Sequence, residues 1–358
     1  MGDRLIIEIE KELTGCRLSV ELAIAAEIFV LFGPSGSGKT QILNALAGLM
    51  TPDRGEISLD GRLLFRKRAA EQLVNLPARE RRMAMVFQQY ALFPHLTARE
   101  NIAFPLGRDS GEADRLLHRM QLDQLADRYP HELSGGQQQR VAIARALAAD
   151  ARVLLLDEPF SALDRPIRDQ LHRELMALQE ETGLVIVYVT HSLDDALTAG
   201  QRVAIINQGR IEQVSGLSEI FTRPRSRSVL EIIGVPNLLE GVRREGGIDW
   251  DGLSLQVSSC HSGRNGQSVS AYIPAEEIII GPPESRDNLM TNRFNGRIVR
   301  LHSSGLIQRI WVEMPNRRTI EGAVRDGLPY LNGEIVQITI PAARIICVEE
   351  SQAGRPGA

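Results

Sequence analysis

A glycine-rich segment near the start of the chain has the composition of a phosphate-binding loop. It reads Gly33-Pro34-Ser35-Gly36-Ser37-Gly38-Lys39-Thr40 and fits the P-loop pattern G-x-x-x-x-G-K-[ST]. Its glycines let successive backbone N–H groups face one anion, and the following helix adds the positive end of its dipole. We expect Lys39 to reach the β- and γ-phosphates and the Thr40 hydroxyl to bind Mg²⁺. The alternative, a flexible Gly/Ser loop, is disfavoured because an apolar run precedes the segment and a helical pattern follows it.

Two adjacent acids follow a second apolar run. Asp157 and Glu158 can divide the work of a hydrolytic site, with Asp157 holding Mg²⁺ and Glu158 polarising the attacking water. His191 ends a third apolar run, and its ring can hydrogen-bond the γ-phosphate or the water. The alternatives are solvated acids at a strand end and a structural histidine.

The apolar runs that precede these polar residues do not alternate with polar positions. They span residues 28–32, 153–156 and 184–189. Unalternated runs are typical of central parallel strands that are buried on both faces. Stretches with helical spacing lie between them, at 41–49, 137–149 and 168–181. This alternation predicts an α/β domain with a mostly parallel sheet.

The residue pattern changes after about residue 236, where short β-like runs separated by Gly, Asn, Ser and Pro replace the helical patterns. We therefore predict two domains, residues 1–235 and 236–358. The tail repeats itself, because the segment beginning at Gly266 aligns without gaps to the segment beginning at Gly333. Two small β modules, about 237–284 and 288–350, follow from the repeat, and a chance match is the alternative.

Composition excludes several classes of protein. The formal net charge of −4 offers no polybasic field for nucleic acid, so we expect no nucleic-acid partner. Cys16, Cys260 and Cys347 are few and far apart, which argues against disulfides or a zinc cluster and favours a reducing cytosol. No stretch approaches the roughly 20 apolar residues that span a bilayer. Any role at a membrane is therefore expected to be peripheral.

A further motif makes the chain more specific than a generic P-loop enzyme. Leu133-Ser-Gly-Gly-Gln137, followed by Gln-Gln-Arg-Val-Ala, resembles the signature motif of the ABC ATPases. In the same order as that family, the chain has the P-loop, Gln88, the signature, Asp157-Glu158, Ser161-Ala-Leu-Asp164 and Thr190-His191. The resemblance covers residues 5–235. It implies a P-loop ABC ATPase domain with a helical signature subdomain, followed by a small all-β, OB-like domain of tandem modules.

The signature has the chemistry of a second phosphate cradle. Ser134 can cap the helix that begins after it, and Gly135 and Gly136 leave N–H groups accessible to an anion. The resemblance implies a head-to-tail dimer in which Ser134, Gly136 and Gln137 cover the ATP of the partner copy, while Asp164 helps to link the two sites. ATP would then hold the interface closed, and hydrolysis would weaken the closed state.

The resemblance also implies membrane partners. Gln88 is similar to the family's residue that contacts Mg²⁺ and the attacking water and communicates with the membrane subunit; a buried structural amide is the alternative. The apolar segment 90–95 is interpreted as core packing and as a groove for a short helix of that subunit. The expected partners are a second copy, two membrane-spanning permease subunits and, indirectly, a periplasmic or extracellular binding protein. The expected location is the cytoplasmic face of the bacterial inner membrane.

One feature departs from the family. An aromatic ring usually precedes the P-loop and stacks on adenine, but Thr14-Gly-Cys-Arg-Leu-Ser has none. Phosphate contacts would then contribute most of the affinity, and tolerance of GTP is expected.

The cargo is the least specific part of the resemblance. The segment from Leu76 to Thr97 and the tail are most similar to importers of the molybdate/tungstate type, although Ser285-Arg-Asp-Asn288 does not reproduce the family's oxyanion element. The alternatives are sulfate, polyamine, sugar or ferric ion as cargo, or a tail that only stabilises the dimer. Two other classes stay open: a soluble ABC ATPase acting on ribosomes or DNA, and a P-loop signalling switch. The single cassette argues against the first, and Glu158 beside Asp157 against the second.

Overall fold

The computed structural model describes residues 4–69, 72–107, 110–160, 163–258, 264–282, 292–304, 307–325 and 330–348. Ser161, Cys260 and the segment Ser285–Asn288 lie outside the described residues. The chain divides into two compact units, Met1–Leu217 and Ser218–Ala358. Residues 218–235 therefore group with the second unit, and the domain boundary at 235–236 stays a prediction.

The first unit contains a sheet of 11 described strands. They are β1 Leu5–Leu13, β2 Cys16–Ile24, β3 Ile28–Phe32, β4 Arg54–Leu59, β5 Arg62–Lys67, β6 Val74–Asn75, β7 Met83–Val86, β8 Val153–Asp157, β9 Val185–Thr190, β10 Arg202–Asn207 and β11 Arg210–Gly216. Their order is β6-β5-β4-β1-β2-β11-β10-β3-β9-β8-β7. Strands β10, β3, β9, β8 and β7 pair in parallel, whereas β1, β2, β4, β5 and β6 form an antiparallel part.

The central strands confirm the predicted α/β class. Every residue of β3, β8 and β9 is buried, because helices cover both faces of a parallel sheet. Strand β3 has the predicted bounds, and β8 extends to include Asp157. The core of this unit combines these strands with the apolar residues of the antiparallel part and of the helix after the P-loop.

Local sequence caps several helices of the first unit. They are α1 Lys39–Ala47, α2 Ala98–Ala103, α3 Ser110–Arg119, α4 Gly135–Ala148, α5 Arg165–Thr182 and α6 Leu193–Ala199; α7 Leu217–Thr222 and α8 Arg227–Ile233 follow. Thr97 and Ser134 begin α2 and α4 with capping boxes, and Gly183 ends α5 in the left-handed region. None of the helices in the described ranges is both long and apolar enough to cross a bilayer.

Arg81 holds the far end of α1. Its side chain is 1% exposed, and its guanidinium donates to the carbonyl oxygens of Ala45 and Leu46 at 2.6 and 2.9 Å. It also donates to the Leu76 carbonyl at 2.9 Å and the Asn75 side chain at 2.7 Å. A cation at the C-terminus of a helix satisfies its unpaired carbonyls and complements its dipole. Arg81 therefore fixes the helix whose N-terminus follows the P-loop.

The second unit contains two antiparallel sheets. Their strands are β12 Leu238–Arg244, β13 Gly247–Trp250, β14 Leu253–Gln256, β15 Ser268–Tyr272, β16 Ile279–Gly281, β17 Asn292–Ser304, β18 Ile307–Glu313, β19 Thr319–Arg325, β20 Ile335–Ile340 and β21 Ile346–Val348. One sheet has the order β14-β13-β12-β15-β21, and the other has the order β16-β20-β17-β18-β19. Buried apolar residues of both sheets form one core, which agrees with the predicted all-β tail.

The two sheets exchange their last strands. The sequence repeat is structural, since β15 and β20 are equivalent and each leads through a 3₁₀ turn to a short strand, β16 or β21. However, β16 pairs with β20 and β21 pairs with β15. Each sheet is therefore built from both halves of the repeat. The modules predicted from sequence are repeat units, and neither one completes a sheet alone.

Asn237 connects the two sheets. Its side-chain amide donates to the carbonyl oxygens of Ile273 and Glu321 at 3.1 and 2.7 Å, and its oxygen accepts from the Glu321 backbone at 2.7 Å. Ile273 follows β15 and Glu321 lies in β19, so this buried side chain bridges strands of different sheets.

Asn292 is the equivalent residue of the second repeat. It donates to the carbonyl oxygens of Gln256 and Ile340 at 2.8 and 3.1 Å and accepts from the Gln256 backbone at 2.7 Å. The predicted module start at Asn288 lies outside the described residues and stays a prediction. The signal that finds Asn292 is the glycine that follows each asparagine at the same spacing, Gly241 and Gly296. A Cβ at either glycine would lie within 2.5 Å of a side chain on the next strand.

We expect Arg81→Met to destabilise the first unit by about 3 kcal/mol, because four acceptors lose a charged donor and the two at the end of α1 are buried. Urea unfolding followed by helical circular dichroism measures this loss. The fluorescence of Trp250 and Trp311 reports on the second unit, and its transition should move less. Arg79→Met is the matched control, since Arg79 is exposed. An unchanged circular-dichroism midpoint for Arg81→Met would contradict the capping role.

Candidate functional site

Parallel register brings the chemically active residues to one edge of the sheet. Phe32, the last residue of β3, pairs with Thr190, the last residue of β9. Asp157 at the end of β8 pairs with Val189 of β9. The P-loop, the two acids and His191 therefore leave neighbouring strands at the same end, where ligands of open α/β sheets bind.

The P-loop adopts a conformation that requires its glycines. Gly36 and Gly38 have φ values of 79° and 103°, in the left-handed region that favours glycine. Gly33 is required for another reason, because a Cβ there would lie 2.2 Å from the carbonyl oxygen of Ile206 in β10. Pro34 and Ser35 lie on the exposed side of the loop. Glycine thus allows both the turn and its close approach to the sheet.

Lys39 points back into the loop. Its Nζ donates to the carbonyl oxygens of Gly33 and Pro34 at 2.8 Å each. Burial lowers the pKa of Lys39, and the negative charges of Glu158 and Asp157 oppose this shift. The ammonium group is therefore held inside the loop by neutral carbonyls and beside two acids, which is the position of a cation that neutralises a bound anion.

Ser37 and Gly209 attach the loop to the antiparallel part of the sheet. The Gly209 N–H donates to the Ser37 carbonyl at 2.9 Å, and the Gly209 carbonyl accepts from Ser19 of β2 at 2.7 Å. A Cβ at Gly209 would lie 2.4 Å from the Arg17 carbonyl oxygen. Sequence reasoning missed Gly209, whose only signal is its place in a two-residue hairpin turn. The Ser37 hydroxyl is buried and has no partner within the described part of the chain, which fits an additional acceptor such as a phosphate oxygen.

Thr40 and Asp157 form the candidate metal site. The Thr40 hydroxyl donates to Asp157 Oδ1 at 3.2 Å. Burial raises the pKa of Asp157, the Thr40 hydrogen bond lowers it, and the nearby Glu158 charge raises it. One carboxylate and one hydroxyl suit Mg²⁺, which is commonly bound by few protein oxygens together with the phosphates of a substrate. A cation at this position would also stabilise the buried charge of Asp157.

Glu158 and His191 form the adjacent polar pair. His191 Nδ1 lies 2.9 Å from Glu158 Oε1. Glu158 has a φ of 45°, a conformation that is uncommon for a residue other than glycine. Its backbone N–H donates to the Val189 carbonyl at 3.0 Å. The backbone turn after β8 therefore directs Glu158 toward the end of β9, where a carboxylate oriented by a histidine can act on water.

The signature residues lie at the start of α4. Ser134 Oγ accepts from the Gln137 backbone at 3.4 Å, and Gln137 Oε1 accepts from the Ser134 backbone at 2.9 Å. Ser134 and Gly135 are exposed, whereas Gly136 is buried, and its Cβ would lie 2.9 Å from the Ile167 side chain. The predicted cap is confirmed. The structure does not link these residues to the P-loop by any hydrogen bond among the described residues.

Asp164 and Gln88 take exposed positions. Asp164 precedes α5 and makes no side-chain cap bond to it. Gln88 lies two residues after β7, beside the strand that carries Asp157. Among the described residues the Gln88 side chain makes no hydrogen bond to the acids, so the structure brings it to the same sheet edge but not into contact.

The segment after Gln88 is held by an arginine that sequence reasoning missed. Arg145 of α4 donates to the carbonyl oxygens of Tyr90 and Ala91 at 3.1 and 2.8 Å. Its guanidinium lies 5.2 Å from the centre of the Phe93 ring, which packs 4.4 Å from Phe104. Tyr90 is buried, whereas Phe104 is 60% exposed. Burial of Tyr90 agrees with core packing of segment 90–95, whereas the groove for a helix of the membrane subunit stays a prediction.

The chain is similar to known transport ATPases. The ABC transporter family model matches residues 18–161. The chain is 38% identical over 319 residues to the spermidine/putrescine import ATP-binding protein PotA of Nitrosospira multiformis, covering 85% of each chain. It is 44% identical over 250 residues to the protein of the same name from Chromobacterium violaceum, spanning 68% of this chain but only 65% of that protein's length. It is 43% identical over 269 residues to the sulfate/thiosulfate import ATP-binding protein CysA of Xylella fastidiosa, covering 72% and 74%.

A solved structure supports the same assignment. The chain is similar to the dimeric ATP-binding cassette MJ0796 in a post-hydrolysis state with ADP and Pi, with a TM-score of 0.52 and 33% identity. The match covers 60% of this chain and 98% of that one. The ordered motifs, the parallel sheet edge and these similarities agree. The chain therefore belongs to the ABC transporter family, and its first unit has the P-loop ABC ATPase fold.

Proposed function

We propose that this chain binds ATP with Mg²⁺ and hydrolyses it. The observation that carries the proposal is the pair of contacts at one sheet edge, Thr40 Oγ1 to Asp157 Oδ1 at 3.2 Å and Glu158 Oε1 to His191 Nδ1 at 2.9 Å. They place a metal-binding pair next to a base–histidine pair. Lys39 lies between the loop carbonyls and the two acids. This arrangement matches the parts that phosphoryl transfer to water requires.

The side chains have separate roles in the proposed reaction. The P-loop N–H groups and Lys39 bind the β- and γ-phosphates, and Thr40 and Asp157 supply the oxygens for Mg²⁺. When bound, Mg²⁺ neutralises negative charge that develops on the phosphate oxygens. Glu158 orients and polarises the attacking water, while His191 fixes the Glu158 carboxylate and contacts the γ-phosphate. Gln88 approaches the metal and the water only if its loop moves inward from its exposed position.

The signature supports a dimer with two shared nucleotides. Exposed Ser134 and Gly135 begin a helix of 14 residues, whose N-terminus attracts an anion. We propose that Ser134, Gly136 and Gln137 cover the γ-phosphate of the nucleotide held by the partner copy, and that Asp164 lies at the same interface. The similarity to a cassette described as dimeric supports this arrangement.

We further propose that the chain drives import through two permease subunits at the cytoplasmic face of a bacterial inner membrane, together with an external binding protein. The names of the similar relatives support import. Those names concern spermidine/putrescine and sulfate/thiosulfate, so they do not support the molybdate or tungstate cargo predicted from sequence. Polyamine is the proposed cargo and sulfate is the second candidate. The exposed Phe104 beside Phe93 is the proposed contact for a permease helix.

Replacing Glu158 with Gln is expected to lower ATP hydrolysis by about 10²- to 10⁴-fold, because an amide cannot act as the base. Phosphate release measures hydrolysis, and size-exclusion chromatography with ATP and Mg²⁺ measures the dimer that the variant should accumulate. Glu180→Gln, on the exposed side of α5, is the matched control and should behave like the unaltered chain. A Glu158→Gln chain that still turns over ATP, or that stays monomeric with ATP, would contradict the proposal.

The exposed turn at Thr14 predicts weak selection of the base. The Leu18 side chain, near the start of β2, lies beside Gly38 of the P-loop, so this turn is close to the proposed phosphate site but offers no ring. We expect kcat/KM for ATP to exceed that for GTP by less than about tenfold, or 1.4 kcal/mol.

Thr14→Tyr tests the reason for this weak selection. An added ring should lower KM for ATP, since stacking on a base contributes about 1–3 kcal/mol. Glu21→Tyr, farther along β2 and exposed, should have no such effect. A strong ATP preference of the unaltered chain would show that another group binds adenine.

The cargo proposal predicts the phenotype of cells that lack this chain. Uptake of labelled spermidine should fall to background and should be restored by the unaltered chain but not by Glu158→Gln. Labelled sulfate and molybdate are measured in the same cells. Loss of sulfate uptake alone would favour the second candidate, and loss of molybdate uptake alone would restore the prediction made from sequence.

A further inference from the structure

Next to the Glu158–His191 pair, helices α5 and α6 enclose polar side chains that the proposed hydrolysis does not use. Arg168 and His172 belong to α5, and Asp195 belongs to α6. His172 is 1% exposed and Asp195 is 3% exposed. Burying a carboxylate is unfavourable unless cations or hydrogen bonds compensate for the lost water. Neighbouring groups must therefore compensate for the burial of Asp195.

Arg168 connects the Asp164 segment, which is defined as residues 163–164, to α6. Its Nη2 donates to the carbonyl oxygen of Leu163 at 2.9 Å, and its Nη1 lies 3.6 Å from Asp195 Oδ1. Leu163 immediately precedes Asp164, the residue proposed to face the partner copy. The planar fork of a guanidinium can hold two acceptors at once in a fixed geometry. One side chain thus contacts both the interface segment and the helix that follows His191.

Asp195 is linked to the backbone around His191 by hydrogen bonds. The Thr190 hydroxyl donates to Asp195 Oδ2 at 3.5 Å, and the Ser192 backbone N–H donates to the Thr190 hydroxyl at 2.9 Å. Ser192 also caps α6 through the Asp195 backbone N–H. Thr190 and Ser192 are the two neighbours of His191, so the backbone on both sides of His191 depends on the position of Asp195.

His172 supplies a second contact between the same two segments. Its ring packs edge-on against Phe160, with centroids 4.7 Å apart, and Phe160 follows Glu158 by two residues. His172 Nε2 lies 3.8 Å from Asp195 Oδ1. The cluster therefore touches the chain shortly after Glu158 as well as the chain shortly after His191.

Hydrogen bonds in the cluster are incompletely formed. Within the described residues, Arg168 Nε, Asp195 Oδ1 and both ring nitrogens of His172 are buried without a hydrogen-bond partner. The Arg168–Asp195 separation exceeds the N–H···O distance of about 2.9 Å. An unmade bond to a buried group costs about 1–3 kcal/mol. A small approach of Arg168 to Asp195 would recover part of this energy.

We propose that Arg168 is a positioning residue that couples the Asp164 segment to His191 through Asp195. Docking of a second copy against Asp164 shifts the Leu163 carbonyl, Arg168 moves with it, and the Asp195–Thr190 contact then sets His191 against Glu158. Hydrolysis is thereby favoured in the dimer. This inference rests on the proposed ATPase function and its dimer.

The test measures steady-state ATP hydrolysis by the full chain and by four variants: Arg168→Met, Asp195→Asn, the double variant and Arg168→Lys. Arg168→Met and Asp195→Asn should each lower kcat by about tenfold while KM for ATP changes by less than about twofold, because the P-loop contacts are untouched. The double variant should be no slower than the slower single variant, because both changes break one connection. Arg173→Met, an exposed arginine of the same helix, is the matched control.

Arg168→Lys separates positioning from simple stabilisation. Lysine keeps the charge near Asp195 but cannot hold both acceptors with a fork, so kcat should stay several-fold below that of the unaltered chain although the unfolding midpoint is retained. This inference would be overturned, without affecting the proposed function, if Arg168→Lys and Asp195→Asn both kept the kcat of the unaltered chain. It would also be overturned if the kcat of the double variant fell by the product of the two single reductions. Absence of hydrolysis by the unaltered chain would overturn the proposed function and this inference together.

Discussion

Parallel pairing of β3, β9 and β8 is the constraint on which the candidate site depends. The paired ends of these strands place the P-loop, Asp157 and Thr190-His191 at one edge of the sheet. Hydrogen bonding between neighbouring strands sets this register, and all three strands are completely buried. A slip would move the polar residues that follow β3, β8 and β9 into the buried part of the sheet, which is unfavourable. Contacts of about 3 Å between residues more than 30 positions apart are a consequence of this pairing.

Most buried charged groups of the site and of helix α1 have neighbouring groups that compensate for the lost water. Lys39 uses loop carbonyls, Arg81 uses the C-terminal carbonyls of α1, and Asp157 uses the Thr40 hydroxyl. Helix α1 is therefore held at both ends by cations that contact backbone oxygens. Asp195 is the exception, because its Oδ1 is buried with two cationic or ionisable groups nearby but no hydrogen bond within the described part of the chain. An incompletely satisfied charge beside a reactive pair is a physical reason for two alternative arrangements.

The second unit is stabilised by the exchange of strands between its two sheets. Its two sheets have equivalent strand orders, and each receives its last strand from the other repeat. Asn237 and Asn292 make equivalent bonds across the sheets. Strand exchange buries both repeats in one core, so neither repeat can lose its short strand without exposing the other. The tail is therefore expected to act as one body in any regulatory role.

The sequence by itself determined the α/β class, the P-loop, the cap at Ser134 and the repeat of the tail, because these features depend on local spacing and on periodicity along the chain. It also placed Asp157, Glu158 and His191 at strand ends. Tertiary structure alone decided that His191 contacts Glu158, that Arg81 caps α1, that Gly209 fixes the P-loop and that the repeats exchange strands. It also left Gln88 exposed and out of contact with the acids. These outcomes depend on which distant segments become neighbours, and that follows from strand pairing and side-chain packing, which local sequence patterns do not encode.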